Sequence, residues 1–452
     1  MKKIYYIKLV TLALLFSMVI TSCKQDFPNV NNPNEEIVLN TKDGLFALSV
    51  GINQYYTTTV LRQVIEAPGI STRELGVTNT FLNINELARG GNELPKESGG
   101  ITNPWVTLLR AKGMTESLLA SIDNVDMSAE TRGSLIAFGS FYRAMTLGHL
   151  LQMFEQVPIT NSLDGQAQFS DRAAVLAECI SLLEAGRTEL MANPVSDEFI
   201  SKVLGTDMDL LNSINAYLSR YNLMAGNYAD AITSADAVLN STGQATSYFA
   251  YDANNVNPIW NRTVNSADLN PQTNLGLVAP YLPEAGDERV AFYLGADAGF
   301  ANADAGGQAL SEMQGFFSSS VASIPVYLYG EMLLNKAEAY ARQSDLPNAV
   351  TQLDMVRTKT GDPYGVNANL VDWVTFGGDP NSQADILEEI YKNRGIEMFL
   401  TGMRLEDSRR FHASYLTAPN PPNTTNERNR NYYPYPTIES DNNNNVPAEP
   451  AL

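Results

Sequence analysis

The chain has 452 residues, enough for one large domain or two, and sets 30 basic side chains against 50 acidic ones for a net charge of −20. Such a surface excludes a nucleic-acid partner, because phosphate backbones are bound by clustered Lys and Arg. It gives no electrostatic hold on anionic lipid either, so any membrane attachment must be made by acyl chains.

Residues 1–22 carry Lys2, Lys3 and Lys8, an apolar run from Leu9 to Ile20, and the small residues Thr21 and Ser22 before Cys23. A charged start, a short apolar stretch and small residues at the cut describe a secretory signal peptide. The run is too short to span a bilayer comfortably, which takes about 20 apolar residues. A cysteine directly after the small residues resembles a bacterial lipobox, so Cys23 is read as the lipidated first residue of the mature chain. Cleavage there removes three of the 30 basic residues, leaving 27 against 50 acidic ones and a net charge of −23. Several acyl chains on one cysteine exceed the marginal hold of a single chain. Cys179 is then alone, so neither a disulfide framework nor a thiolate metal site is available; its apolar helical setting reads as a buried thiol.

Residues 23–40, with Pro28, Pro33 and many Asn, read as a flexible tether, and 41–452 as a single domain. Asp43 to Val60 shows helical periodicity through Leu45, Leu48 and Ile52. Residues 66–103 lose it and read as a loop-rich insert. Helices are expected from Pro104 to Ile122, Ala129 to about Glu155, Ala173 to Leu190, Asp209 to Ala225 and Tyr228 to Leu239. The last two, joined by Gly226-Asn227 with small residues at the crossing, resemble a tetratricopeptide-type hairpin. A similar pair runs from Leu328 to Ala341 and on through Val356, broken at Ser344-Asp345. Between the pairs, residues 241–320 read as a second loop-rich insert, and so long a stretch with little regular structure points to function. Residues 413–452, rich in Pro and Asn, read as an extended polar tail.

The segment 387–411 carries Arg394, Glu397, Phe399, Gly402, Arg404, Asp407 and Arg410. It resembles the C-terminal signature of the SusD/RagB family. Three further segments agree in order: Phe141–Ala144 leading to Phe154–Ile159, Tyr329–Ala339 with Val356-Arg357, and Tyr432–Pro436 with Glu439. Val30–Asn34 and Asn257–Trp260 look like a SusD-like sub-branch rather than the starch-binding members. The resemblance implies a mainly α-helical, tetratricopeptide-like scaffold with a loop-rich ligand-binding face. It implies lipid anchoring at the outer membrane of a Bacteroidota-type bacterium, exposed at the cell surface. It also implies pairing with a SusC-type TonB-dependent transporter, to which captured oligosaccharide or polysaccharide is delivered. An oligopeptide is the alternative ligand, as in RagB-like proteins.

Within 394–410, Arg394 and Glu397 stand three apart, a spacing suited to a helical ion pair. Gly402 would turn the chain and set Arg404 and Asp407 alongside. Interleaved apolar residues make this a helix-pinning network rather than acid/base machinery. Glycoside hydrolysis needs two carboxylates on one sugar, but 50 acidic residues always supply a pair, so their number decides nothing. His149 and His412 are isolated and have no partner at metal spacing, and neither a serine elbow nor a phosphate loop is present. No catalytic residue, metal site or cofactor is therefore assigned, and a surface hydrolase is the weakest reading.

Binding remains. Aromatic faces with amide groups that both donate and accept suit sugars or peptides. The candidates are Phe81, Asn83 and Asn85 in the first insert, Trp260, Asn261, Tyr281 and Tyr293 in the second, and Trp373. Trp260 leads, since its Asn/Pro setting implies a loop on a rigid scaffold. Trp105, at a helix entry, reads as packing.

Overall fold

The computed structural model describes residues 39–241, 246–413 and 426–451. Cys23, the signal-like segment and nearly all of the expected tether lie outside them.

Apolar residues at helical spacing, punctuated by Ser and Asp caps, give a mainly α-helical body. Helix α1 (Lys42–Tyr55) starts on Thr41, whose hydroxyl accepts from the Gly44 amide. It passes through a π-helical turn (Tyr56–Val60) into α2 (Leu61–Ser71), so the helix extends well beyond the expected Val60. Strand β1 (Leu75–Val77) and helix α3 (Leu82–Arg89) follow, correcting the purely loop-like expectation for 66–103. Helix α4 (Gly99–Ser121) is capped by Ser98 and holds Pro104 in its interior; the cap, not the proline, sets its start. Helix α5 (Ala129–Met153) is buried along nearly its whole length. A two-stranded ribbon of β2 (Val157–Pro158) and β3 (Phe169–Ser170) leads to α6 (Arg172–Ala192).

Helices α7 (Leu210–Ala225) and α8 (Tyr228–Leu239) are joined at Gly226, which sits in the left-handed region. After the second insert come α9 (Glu288–Tyr293), then α10 (Tyr329–Arg342) and α11 (Leu346–Arg357), α12 (Gln383–Glu397) and α13 (Arg404–Phe411). Neighbours pack in sequence, α4 on α5, α5 on α6, α6 on α7, α7 on α8, then α8 on α10, α10 on α11 and α12. The array closes when α13 returns to α2 and α5.

Buried charge pins this array together. Arg220 on α7 makes a two-pronged pair with Glu331 on α10, at 2.7 and 2.8 Å. Arg394 clasps Asp407 at 2.9 and 3.0 Å and donates to Asn335 at 2.8 Å. The expected Arg394–Glu397 pair is thus replaced: Glu397 points the other way, to Arg289 at 3.2 Å and to Lys359. Gly330 allows this, because a Cβ there would fall 1.9 Å from Glu397 Oε1. Gly402 turns the chain as expected, with φ +81° and its Cα so close that a Cβ would meet Val64 O at 2.6 Å. Glu338 is fully buried; burial would raise its carboxyl, but Arg410 and Arg394 hold it down at about 2.

The C-terminal residues are not an extended tail. Tyr433 and Tyr435 are wholly buried, with Tyr433 Oη 2.8 Å from Ser71 Oγ and Tyr435 Oη accepting from the Gln156 amide. Trp105 packs there as expected, edge-on to Phe154 at 4.7 Å, with Nε1 donating to Glu439. Cys179 is a buried thiol whose pKa burial pushes up.

Candidate functional site

The second insert is built on two ribbons. Strand β1 pairs antiparallel with β4 (Leu269–Pro271), in register Leu75 to Pro271 and Val77 to Leu269. Strand β5 (Leu294–Phe300) pairs with β6 (Ala309–Met313), and a bridge between Gln272 and Leu310 joins the ribbons. Gly76 lies so close under Leu310 that a Cβ would sit 2.5 Å from its side chain.

A cleft of about 620 Å³ opens on this sheet, lined by Thr78, Thr263, Val264, Asn270, Phe300 and Glu312 among others. A neighbouring cleft of about 450 Å³ is lined by Phe81, Leu82, Asn83, Glu86, Pro95 and Glu97. The segment 78–83 contributes to both. Its anchor is Asn79: Nδ2 donates to Asp268 Oδ1 at 2.8 Å, and Oδ1 accepts from the Phe81 amide at 2.9 Å. The Asn79 carbonyl also accepts from Asn85 Nδ2 and Asn302 Nδ2, both at 3.0 Å. Three chain segments, 79–85 and those carrying Asp268 and Asn302, meet at this one residue.

Phe300 is 72 % exposed and Phe81 57 %, with Leu82 and Val264 also exposed. Large apolar side chains gathered around clefts mark a binding surface. Val264 belongs to the π-helical turn Asn261–Asn265 that follows Trp260. Trp260 is partly exposed and is set by Asn257, whose Oδ1 accepts from the amides of Ile259 and Trp260. Asn261 is exposed, its Oδ1 holding Asn265 Nδ2 at 2.8 Å. Phe81, Asn83, Trp260 and Asn261 therefore lie in or beside elements that form the clefts.

Tyr281 does not join them. Its hydroxyl donates to Glu388 at 2.6 Å and its ring stacks on His412 at 5.5 Å, on the α12 side of the molecule. Tyr293 is fully buried, donating to the Glu397 carbonyl at 3.1 Å, and Trp373 is buried beneath Gly378. These two rings offer no face to a ligand, which corrects the expectation for both: each caps a helix-to-loop junction as packing. Phe300 and Asn79 were not singled out from the sequence. The signal for Phe300 is local, an aromatic after Gly299 in a short run flanked by turns.

Two other hollows fit a ligand less well. An enclosed cavity of about 30 Å³ beside His149, Arg220 and Glu331 has room for about one water. A groove of about 720 Å³ along α6 to α8 is lined by Arg187, Met191 and Asn212 but by no aromatic ring. No group of three His, Cys, Asp or Glu suited to a metal occurs among the described residues, nor is any helix among them long and apolar enough to cross a membrane.

Residues 317–449 match the sequence profile of the SusD family. The whole fold is that of solved SusD-type proteins. A SusD-like protein of Bacteroides fragilis superposes with a TM-score of 0.66 at 15 % identity, covering 92 % of this chain and 99 % of that one. A SusD superfamily protein of Bacteroides vulgatus gives 0.65 at 14 % identity, covering 90 % and 98 %. A SusD-like carbohydrate binding protein of Bacteroides vulgatus gives 0.61 at 17 % identity, covering 81 % and 83 %. No curated protein matches the sequence. Residues 317–449 thus carry the match to the SusD family, and the chain has the mainly helical fold of the solved SusD-type proteins, as the C-terminal signature implied.

Proposed function

We propose that this protein is a nutrient-binding lipoprotein that captures oligosaccharide or polysaccharide and passes it to a SusC-type TonB-dependent transporter in the outer membrane. The observation that carries the binding role is the pair of clefts around Asn79, with Phe300 and Phe81 projecting into solvent beside amide and hydroxyl groups. A solved relative described as a carbohydrate binding protein supports a sugar as the ligand. In this reading residues 1–22 are a cleaved leader, Cys23 carries the lipid, 23–40 form the tether and 41–452 act as one binding domain. The body needs no membrane-spanning helix, since the acyl chains hold it.

Capture in this reading involves no turnover, and carboxylates line both clefts, Glu312 in one and Glu86 and Glu97 in the other. The test is affinity electrophoresis of the protein lacking residues 1–23 against a polysaccharide panel, beside the Phe300→Ala and Phe81→Ala variants. Retention by at least one polysaccharide, weakened in both variants, is expected. Binding of peptides with no retention by any polysaccharide would move the ligand to the oligopeptide class, and release of reducing sugar by the protein alone would restore a hydrolase.

A further inference from the structure

The sign of the charge around the clefts narrows the ligand. The larger cleft is lined by one ionisable side chain, Glu312; the rest of its lining is hydroxyl, amide, apolar and aromatic. The neighbouring cleft is lined by Glu86 and Glu97. Among the described residues no Lys or Arg lines either one. The nearest cation in sequence to Thr263 is Arg262, and it is already spent. Its NH2 group pairs with Glu66 at 3.2 Å and its NH1 group with Asp268, the same carboxylate that Asn79 holds. Arg89 pairs with Glu93 at 3.5 Å. Lys96 adjoins Glu97 in sequence but is not among the lining side chains, and it stands against two carboxylates. Beyond the clefts the whole chain carries a net charge of −20.

We infer that these clefts take an uncharged polysaccharide and reject polymers bearing carboxylate or sulfate groups. The inference rests on the glycan reading above. A uronic acid or sulfate seated against Phe300 would lose water and meet Glu312, with no donor of positive charge to offset the loss. Carboxylates and sulfates are held by Arg forks or Lys, and these walls present neither. A neutral sugar needs only what is present: ring faces from Phe300 and Phe81, and groups such as Thr78, Asn270 and Asn83 that exchange hydrogen bonds with hydroxyls. Long-range repulsion from the acidic body adds a second barrier, which salt would screen over about 10 Å at 0.1 M.

The experiment uses the protein lacking residues 1–23 in affinity gels containing galactomannan, xyloglucan, arabinoxylan or mixed-linkage glucan, and in parallel polygalacturonate, chondroitin sulfate or heparin. At least one neutral polymer is expected to retain the protein, with every acidic polymer at least about tenfold weaker. Raising salt from about 20 mM to about 500 mM should leave neutral binding within about twofold and narrow the gap. Glu312→Lys should raise retention by an acidic polymer about tenfold or more relative to that by a neutral polymer on the same variant. Equal or tighter binding of an acidic polymer by the unaltered protein overturns the inference and leaves the glycan reading standing. An acidic-polymer affinity unmoved by Glu312→Lys overturns it as well. If no polysaccharide of either kind is retained, the glycan reading itself falls and takes the inference with it.

Discussion

Asn79 and Asp268, 189 residues apart in sequence, are joined by a 2.8 Å hydrogen bond that ties the entry of α3 to the second insert. The same side chain holds the Phe81 amide, so one amide group sets both the position of Phe81 and the spacing of the clefts. Asn79→Ala removes these two bonds and leaves the backbone carbonyl contacts in place. It is expected to cost about 1–2 kcal/mol in urea unfolding and to weaken polysaccharide retention. Asn79→Asp keeps the acceptor for Phe81 but faces Asp268 with a second negative charge, and should bind more weakly than the unaltered protein.

The Arg394–Asp407 clasp predicts a steeper loss. Both side chains are almost wholly buried, and removal of Asp407 leaves the Arg394 guanidinium buried with the neutral Asn335 amide as its hydrogen-bond partner. Asp407→Ala is therefore expected to destabilise by about 3–5 kcal/mol in chemical denaturation. A loss under about 1 kcal/mol would mean that Arg394 finds a replacement partner, and the clasp would then be incidental to the fold.

Gly402 allows a matched comparison. Gly402→Ala must accommodate a Cβ 2.6 Å from Val64 O in a backbone already at φ +81°. A cost of about 2–4 kcal/mol is expected. Gly165→Ala has a similar φ of +75° but open space around it, and should cost about 1 kcal/mol. Equal losses in thermal unfolding would show that the close approach to α2 contributes nothing.

The two histidines pull stability in opposite directions with pH. His149 is buried and burial, with Arg220 nearby, pushes it down to about 3 despite its bond to Gln152. The unfolded chain takes up that proton first, so as pH falls from about 6.5 toward 3 the folded state loses stability, by up to about 1.4 kcal/mol per pH unit. His412 is shifted the other way: burial would lower it, but Glu427 and Glu388 raise it. Its contribution is complete below pH 6.5 and is lost as pH rises through the raised value, and the exposure of its partner Glu388 keeps it small. Urea midpoints across pH 4–8 should flatten on the acid side in His149→Gln and on the neutral-to-alkaline side in His412→Gln. An unchanged acid limb in His149→Gln would assign that limb to the carboxylates alone.

Cys23→Ala gives a test of location that is independent of the clefts. The purified body should bind polysaccharide as the unaltered protein does, while cells should fail to retain it in the membrane fraction and lose uptake. Uptake sustained by a released protein would remove the anchor from the proposed mechanism.

The helix pairs were legible because their packing faces are written at local spacing: Ala216, Tyr217 and Tyr221 against Ala231, Ala235 and Val238 need no distant information. The residues after 425 were not. Their order comes from Tyr433 meeting Ser71 and from Asn429 Nδ2 donating to the carbonyls of Leu87 and Ala88, partners more than 300 positions away. A composition rich in Pro and Asn gives no sign of them. The same limit divided the aromatic candidates. Tyr293 and Phe300 are seven residues apart in one insert, yet one closes over Glu397 and the other projects to solvent. Strand register and the arrival of α12 decide that, and neither is encoded near those residues.

The contact between Tyr433 and Ser71 also bears on the order in which the core can close. The floor beneath Trp105, Phe154 and Phe169 is supplied by Tyr435, so the N-terminal helices cannot finish their core until the last few dozen residues arrive. Such an order would suit the exported lipoprotein proposed above, since the core closes only once the final segment is present.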